Sequence, residues 1–65
     1  MINENPSLNQ LTSLVDIIKK DEHLTNYNVN YSSFDKITMA QYKYILFLLF
    51  NKKYFKLKQM LDQIL

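Results

Sequence analysis

The sequence predicts an all-α fold: one small domain of three helices, with the last two in an antiparallel hairpin, assembled as a homodimer. Three separate segments place apolar residues at the spacing of a helix face, and 48% of all residues are apolar. The chain of 65 residues has no Cys and one His, so it lacks the means to form a disulfide or a structural zinc site. Its stability must come from helix packing, from oligomerisation or from a partner.

The first helix is predicted at about residues 6–22. Asn5 can cap a helix, and Pro6 suits the first helical position, where its missing N–H costs no hydrogen bond. The apolar residues that follow share one half of the helical wheel: Leu8, Leu11, Leu14, Val15, Ile17 and Ile18. This half is expected to face the core.

Residues 24–33 lose the helical period and are rich in Asn and Ser. Tyr27, Val29 and Tyr31 alternate with Asn, which is the period of a short strand. Two interpretations stay open. The segment is either an ordered loop that lays its tyrosines on the core or an extended arm that pairs with a second protomer or a partner's sheet edge.

The second helix is predicted at about residues 39–50, with a short turn at 33–37 before it. Thr38 and Gln41 have the spacing of a capping box and lead directly into an apolar run, Tyr44 to Phe50. Over that run the helix is apolar on every side. Such a helix has to be covered on most of its circumference, so it predicts a contact surface.

The third helix is predicted at about residues 52–64. Asn51 can both end the second helix and cap the third. The apolar residues of this segment share one face: Tyr54, Leu57, Met60, Leu61, Ile64 and Leu65. Because the connection is so short, the two helices must form an antiparallel hairpin.

The composition argues against an enzyme, a cofactor site and a metal site. Asp21, Glu22 and His23 are the one place where acid, base and His coincide, but three adjacent helical residues point about 100° apart. We therefore expect a solvated helix end there, and the other interpretation is a site shared across a dimer interface. The chain also has no thiol and no Gly for a phosphate-binding loop.

The longest apolar run, seven residues, is too short to cross a bilayer, and the N-terminus does not resemble a signal peptide. These features predict a cytoplasmic protein without a transmembrane segment. Asn, Lys, Ile, Tyr and Phe supply 30 of the 65 residues, a bias typical of AT-rich coding sequence. The composition therefore favours a low-GC bacterium, its phages or its plasmids as the source.

Residues 34–65 carry a net charge of +4, whereas residues 1–33 carry −2. A basic cluster surrounds Tyr54 and Phe55 and consists of Lys52, Lys53, Lys56 and Lys58. Lysines interleaved with aromatic residues can hold phosphates and stack on bases, so this patch is the candidate nucleic-acid site. The other interpretations are a solvated hairpin tip and a contact with an acidic protein partner.

The helical wheel leaves some apolar surface without a neighbour. Phe47 projects roughly 160° to 200° away from Leu49 and Ile45 at about 100° per residue, and Phe55 falls on the polar side of its helix. An exposed apolar patch usually marks an interface. The predicted interface residues are Tyr44, Phe47, Phe50, Tyr54 and Phe55.

These observations predict a small non-enzymatic regulator or inhibitor that docks a helical surface onto a larger protein. Self-association through the same surface is expected as well. The alternative is a small nucleic-acid-binding regulator that uses the lysines between residues 52 and 58.

Overall fold

The computed structural model describes residues 4–64. All regular structure in this range is helical: α1 is Leu8–Lys20, a 3-10 helix is Tyr31–Lys36, α2 is Met39–Phe50 and α3 is Tyr54–Ile64. The predicted all-α class is confirmed for the described residues, with the 3-10 helix as a fourth helical segment. No helix within them has both the length and the apolar character needed to cross a membrane.

The predicted start of the first helix is wrong by two residues. Ser7 is the N-cap: its hydroxyl accepts the Gln10 N–H at 3.2 Å, and the Gln10 side-chain oxygen accepts the Ser7 N–H at 2.8 Å. These two bonds form a capping box, which pairs the Ser7 and Gln10 N–H groups at the start of α1. Asn5 instead donates its side-chain amide to the Ile37 carbonyl at 2.7 Å. The helix also ends at Lys20, two residues before the predicted end.

The segment between α1 and α2 is an ordered loop followed by the 3-10 helix, and no strand occurs in it. Val29 is buried, and Tyr27 and Tyr31 pack half-buried against the core. The Tyr27 hydroxyl donates to the Asp62 carboxylate of α3. The loop therefore joins the core through its apolar and aromatic residues.

α2 begins with the capping box that Thr38 and Gln41 predict. It ends at Phe50, where the Asn51 side chain donates to the Phe47 carbonyl at 2.8 Å. Lys52 then takes a left-handed backbone conformation with φ of 57°. The Lys53 N–H reaches the Leu48 carbonyl at 2.9 Å, completing a Schellman-type termination.

α3 begins at Tyr54, so the predicted start at 52 is wrong by two residues, and Asn51 does not cap this helix. The Leu57 N–H bonds to the Lys53 carbonyl at 2.9 Å, which places Lys53 at the start of α3. Residues 51–53 thus join two helices that contact each other.

One hydrophobic core connects all four helical segments. Its buried side chains are Leu14, Ile18, Leu24, Val29, Phe34, Ile37, Ile45, Leu48, Leu49, Leu57 and Leu61. Among residues 4–64 no polar or charged side chain is buried. The core therefore covers one side of α2, and the opposite side of that helix is left open.

Candidate protein interface

Three aromatic side chains follow the open side of α2. Tyr44, Phe47 and Phe50 are spaced three residues apart and are 42%, 51% and 73% exposed. The rings of Tyr44 and Phe47 are nearly parallel, at 10°, with centroids 6.4 Å apart. We call these three residues the aromatic face.

The aromatic face exists because α2 is apolar on both sides. Ile45, Leu48 and Leu49 are buried on the side that faces the core. The exposed residues of α2 occupy an arc of about 120° on the other side, at about 100° per residue. No described element covers this arc, so its large apolar side chains meet solvent.

A second exposed group lies where α2 meets α3. Phe55, the second residue of α3, is 77% exposed, and Lys52, Lys53 and Lys56 are exposed beside it in the sequence. We call these three lysines the lysine tip. Among the described residues the lysine that forms an ion pair is Lys20, which pairs with Asp16.

Lys58 does not belong to the lysine tip. It is half-buried, and its ammonium lies 5.4 Å from the centroid of the Tyr27 ring. A lysine over an aromatic face is held by a cation–π contact. The predicted basic cluster therefore divides into three exposed lysines and one that is engaged within the fold.

Tyr54 is also engaged within the fold. Its hydroxyl donates to the Asp21 carboxylate at 2.6 Å, and its ring stacks on His23 with centroids 4.5 Å apart. The hydrogen bond to Asp21, burial, and the nearby charges of Asp21 and Glu22 raise the pKa of Tyr54 to about 12. Of the predicted interface residues, Tyr54 has the least surface to offer a partner.

The Asp21 cluster has a structural role that the sequence does not reveal. Partial burial acts to raise the pKa of Asp21, but hydrogen bonds from Tyr54 and His23 outweigh it and hold the pKa below its ordinary value. The carboxylate thereby ties the end of α1 to the start of α3. In the described part of the chain, no three His, Asp or Glu side chains group together as metal ligands would.

Two shallow depressions accompany these surfaces. One, of about 130 Å³, lies beside the aromatic face and is lined by Tyr44, Lys56, Gln59, Met60 and Gln63. The other, of about 270 Å³, lies between α1 and the 3-10 helix and is lined by Leu8, Leu11, Thr12, Val15, Tyr31, Phe34 and Asp35. No sequence pattern predicts either depression, because each lies where separate helices meet.

Comparison of the chain with protein-family models, with curated proteins and with solved structures finds no match of any of the three kinds. Residues 4–64 form a small all-helical unit whose helix α2 carries the exposed aromatic face. The function has to be argued from that face.

Proposed function

We propose that this chain is a small non-enzymatic protein-binding module, a regulator or inhibitor that docks the aromatic face onto a larger protein. The observation that supports the proposal is the exposure of Tyr44, Phe47 and Phe50 along one side of α2. Aromatic side chains dominate the binding energy of protein interfaces, and large exposed apolar patches are uncommon on isolated proteins. Binding would act sterically, by covering part of the partner.

The exposed area supports a partner with a groove. With about 200 Å² for a whole aromatic side chain, the aromatic face and Phe55 together expose about 500 Å². At about 25 cal/mol per Å², their burial contributes at most about 12 kcal/mol, which is comparable with the cost of association. A flat contact is therefore marginal, whereas a groove also covers the flanks of α2.

The proposal includes a homodimer and an antiparallel hairpin of α2 and α3. The connection of three residues and the joint packing of Leu48 and Leu57 in one core support the hairpin. The same exposed rings support self-association. A dimer through this face must be weak enough to dissociate when the larger partner binds.

We propose that the chain is encoded by a phage or a mobile element of a low-GC bacterium. We also propose that it acts in the cytoplasm of that bacterium. Their support is the amino-acid composition and the small size of the chain.

Photo-crosslinking tests the docking proposal. A benzoylphenylalanine at position 47 or 50, in cells that produce the chain, should form an adduct with the same larger protein. The same group at position 8 is the control, because Leu8 is 79% exposed on α1 and lies outside the aromatic face. Adducts that do not differ between position 8 and positions 47 and 50 would contradict the proposal.

The second candidate function is nucleic-acid binding through the lysine tip. It is favoured by three exposed lysines next to the exposed rings of Phe50 and Phe55, which can stack on bases. Three phosphate contacts predict that log K falls with log salt at a slope of about −2 for a single strand. Fluorescence anisotropy with a single-stranded oligonucleotide measures this slope, and absence of binding at low salt would exclude the function.

A further inference from the structure

The aromatic face lies in a stretch of sequence that is cationic throughout. From residue 36 to residue 61, which includes all of α2 and the lysine tip, the sequence contains six lysines and neither Asp nor Glu. Exposed rings among lysines match an anionic bilayer, which offers apolar chains below a layer of negative charge. We propose that the aromatic face and the lysine tip bind an anionic lipid surface, with α2 lying in the plane of the headgroups. The inference goes beyond the proposed function and does not depend on it, because lipid binding needs no protein partner.

The spread of the three rings suits a lipid interface. At about 100° per residue, Tyr44 and Phe50 lie about 60° to either side of Phe47, so their side chains diverge. A bilayer adapts to such an arc, because the lipid molecules move to fit the side chains. The rings expose about 330 Å², well below the roughly 800 Å² that each partner contributes to a specific protein interface. Lipid binding has no such minimum, since its strength grows with the buried apolar area and with the charge.

Lys43 places a charge within the aromatic face. It is exposed, and on the helical wheel it lies about 40° from Phe47 and about 20° from Phe50. An apolar protein groove would remove the water from this ammonium, which costs free energy unless the partner supplies an acidic group. At a lipid surface the ammonium reaches the headgroup phosphates at the end of its flexible stem, while the rings stay below. The position of Lys43 therefore favours an anionic bilayer.

Three more lysines lie at the edges of the aromatic face. Lys52 and Lys53 follow Phe50 in the exposed connection between α2 and α3. Lys56 lines the same shallow depression as Tyr44. One lysine near an anionic surface strengthens binding about fivefold, so the three together supply a factor of roughly 100.

The positions of the rings favour a lipid surface over a nucleic acid. A single strand held by the lysine tip would stack on Phe50 and Phe55, at the two ends of the connection. Phe47 and Tyr44, about one and two turns further from the tip, would remain in solvent. A bilayer that receives α2 along its length covers all three rings of the aromatic face at once.

Single-tryptophan variants test whether the rings enter the lipid, because the natural chain has no Trp. The full chain with Phe50→Trp is mixed with vesicles of phosphatidylglycerol and phosphatidylcholine in equal amounts. Its emission should shift to the blue, and lipids brominated in the acyl chain should quench it. Leu8→Trp is the control and should show neither change, since Leu8 is 79% exposed on α1, outside the aromatic face. Equal changes at positions 8 and 50, or none at position 50, would overturn the proposal.

Flotation with the same vesicles measures the contribution of the rings and of the charge. Phe50→Ser should lower the partition coefficient at least about tenfold, which at about 25 cal/mol per Å² corresponds to burial of about 55 Å² of the ring. Leu8→Ser should leave the partition coefficient unchanged. Vesicles of pure phosphatidylcholine should bind the natural chain roughly 100-fold more weakly, because they lack the negative charge. Equal losses in the two variants, or equal binding to both kinds of vesicle, would overturn the proposal.

A single-stranded oligonucleotide separates lipid from nucleic acid as the source of the phosphates. A chain that binds the oligonucleotide at low salt but does not float with anionic vesicles uses its lysines for nucleic acid, and the lipid proposal is then overturned. None of these results affects the photo-crosslinking of a larger protein. Lipid binding and the docking function can therefore fail separately.

Discussion

Replacing Lys52 with glycine should stabilise the protein. Lys52 has φ of 57°, where its Cβ crowds the following carbonyl, and it is the one residue of positive φ among those described. Removing the Cβ stabilises the folded state by about 1 to 2 kcal/mol. The greater conformational freedom of glycine stabilises the unfolded chain by about 0.5 to 1 kcal/mol, which offsets part of that gain. The expected gain is therefore up to about 1.5 kcal/mol, with a central value of about 0.7 kcal/mol, or about 3 to 6 °C in Tm for a chain of this size.

Thermal unfolding followed by circular dichroism measures the change, with two control variants. Lys52→Ala removes the same charge but keeps a Cβ, so it should give no gain. Lys56→Gly removes an equal charge from the first turn of α3, where the backbone is helical, and should lose up to about 1 kcal/mol. If Lys52→Gly is no more stable than Lys52→Ala, Lys52 does not adopt the left-handed conformation. The Schellman-type end of α2, which depends on that conformation, would then be contradicted as well.

Three further predictions concern caps, packing and pH. Ser7→Ala should cost about 1 kcal/mol in urea denaturation because it removes the α1 cap, and a negligible loss would place the cap elsewhere. Leu48→Ala should cost about 2 to 5 kcal/mol because Leu48 is buried, whereas Phe47→Ser, one residue earlier, should cost less, about 1 to 2 kcal/mol, because half of the Phe47 side chain is exposed. The lowered pKa of Asp21 stabilises the fold above the carboxyl's ordinary pKa, so stability should fall as pH drops through the folded value. The raised pKa of Tyr54 stabilises the fold below its ordinary pKa of about 10, and this contribution should be lost as pH rises toward about 12. Tyr54→Phe should flatten both pH profiles, and unchanged profiles would exclude the Asp21 bond as their cause.

Much of the fold follows from local sequence rules. The capping box of Thr38 and Gln41 places the start of α2, because both hydrogen bonds lie within one turn. The wheel also indicates that Phe47 points away from Ile45, since the angle between them depends on helix geometry alone. The sequence of residues 24–33 does not decide their secondary structure. Its alternating pattern fits both a strand and a loop whose alternate side chains reach the core.

The rest depends on contacts between distant segments. Asn5 is a good cap by type, yet its amide binds the Ile37 carbonyl 32 residues away, and Ser7 caps α1 instead. The sequence pattern places Tyr54 on the surface as an interface residue, but its hydroxyl donates a hydrogen bond to Asp21, 33 residues earlier. The sequence groups Lys58 with the neighbouring lysines, but in the structure its ammonium lies over the Tyr27 ring. The two residues of each pair are far apart in the sequence and share no regular spacing, so sequence periodicity could not predict these contacts.

The aromatic face separates the requirements of folding from those of binding. Ile45, Leu48 and Leu49 already supply the side of α2 that the core needs. Phe47 lies outside the buried core and half of its side chain is exposed, so its ring contributes less to stability than a core residue does. Phe47→Ser should therefore lower the free energy of association by more than it lowers the free energy of unfolding. Equal losses in both measurements would mean that Phe47 serves the fold, and the case for a docking surface on α2 would lose its central residue.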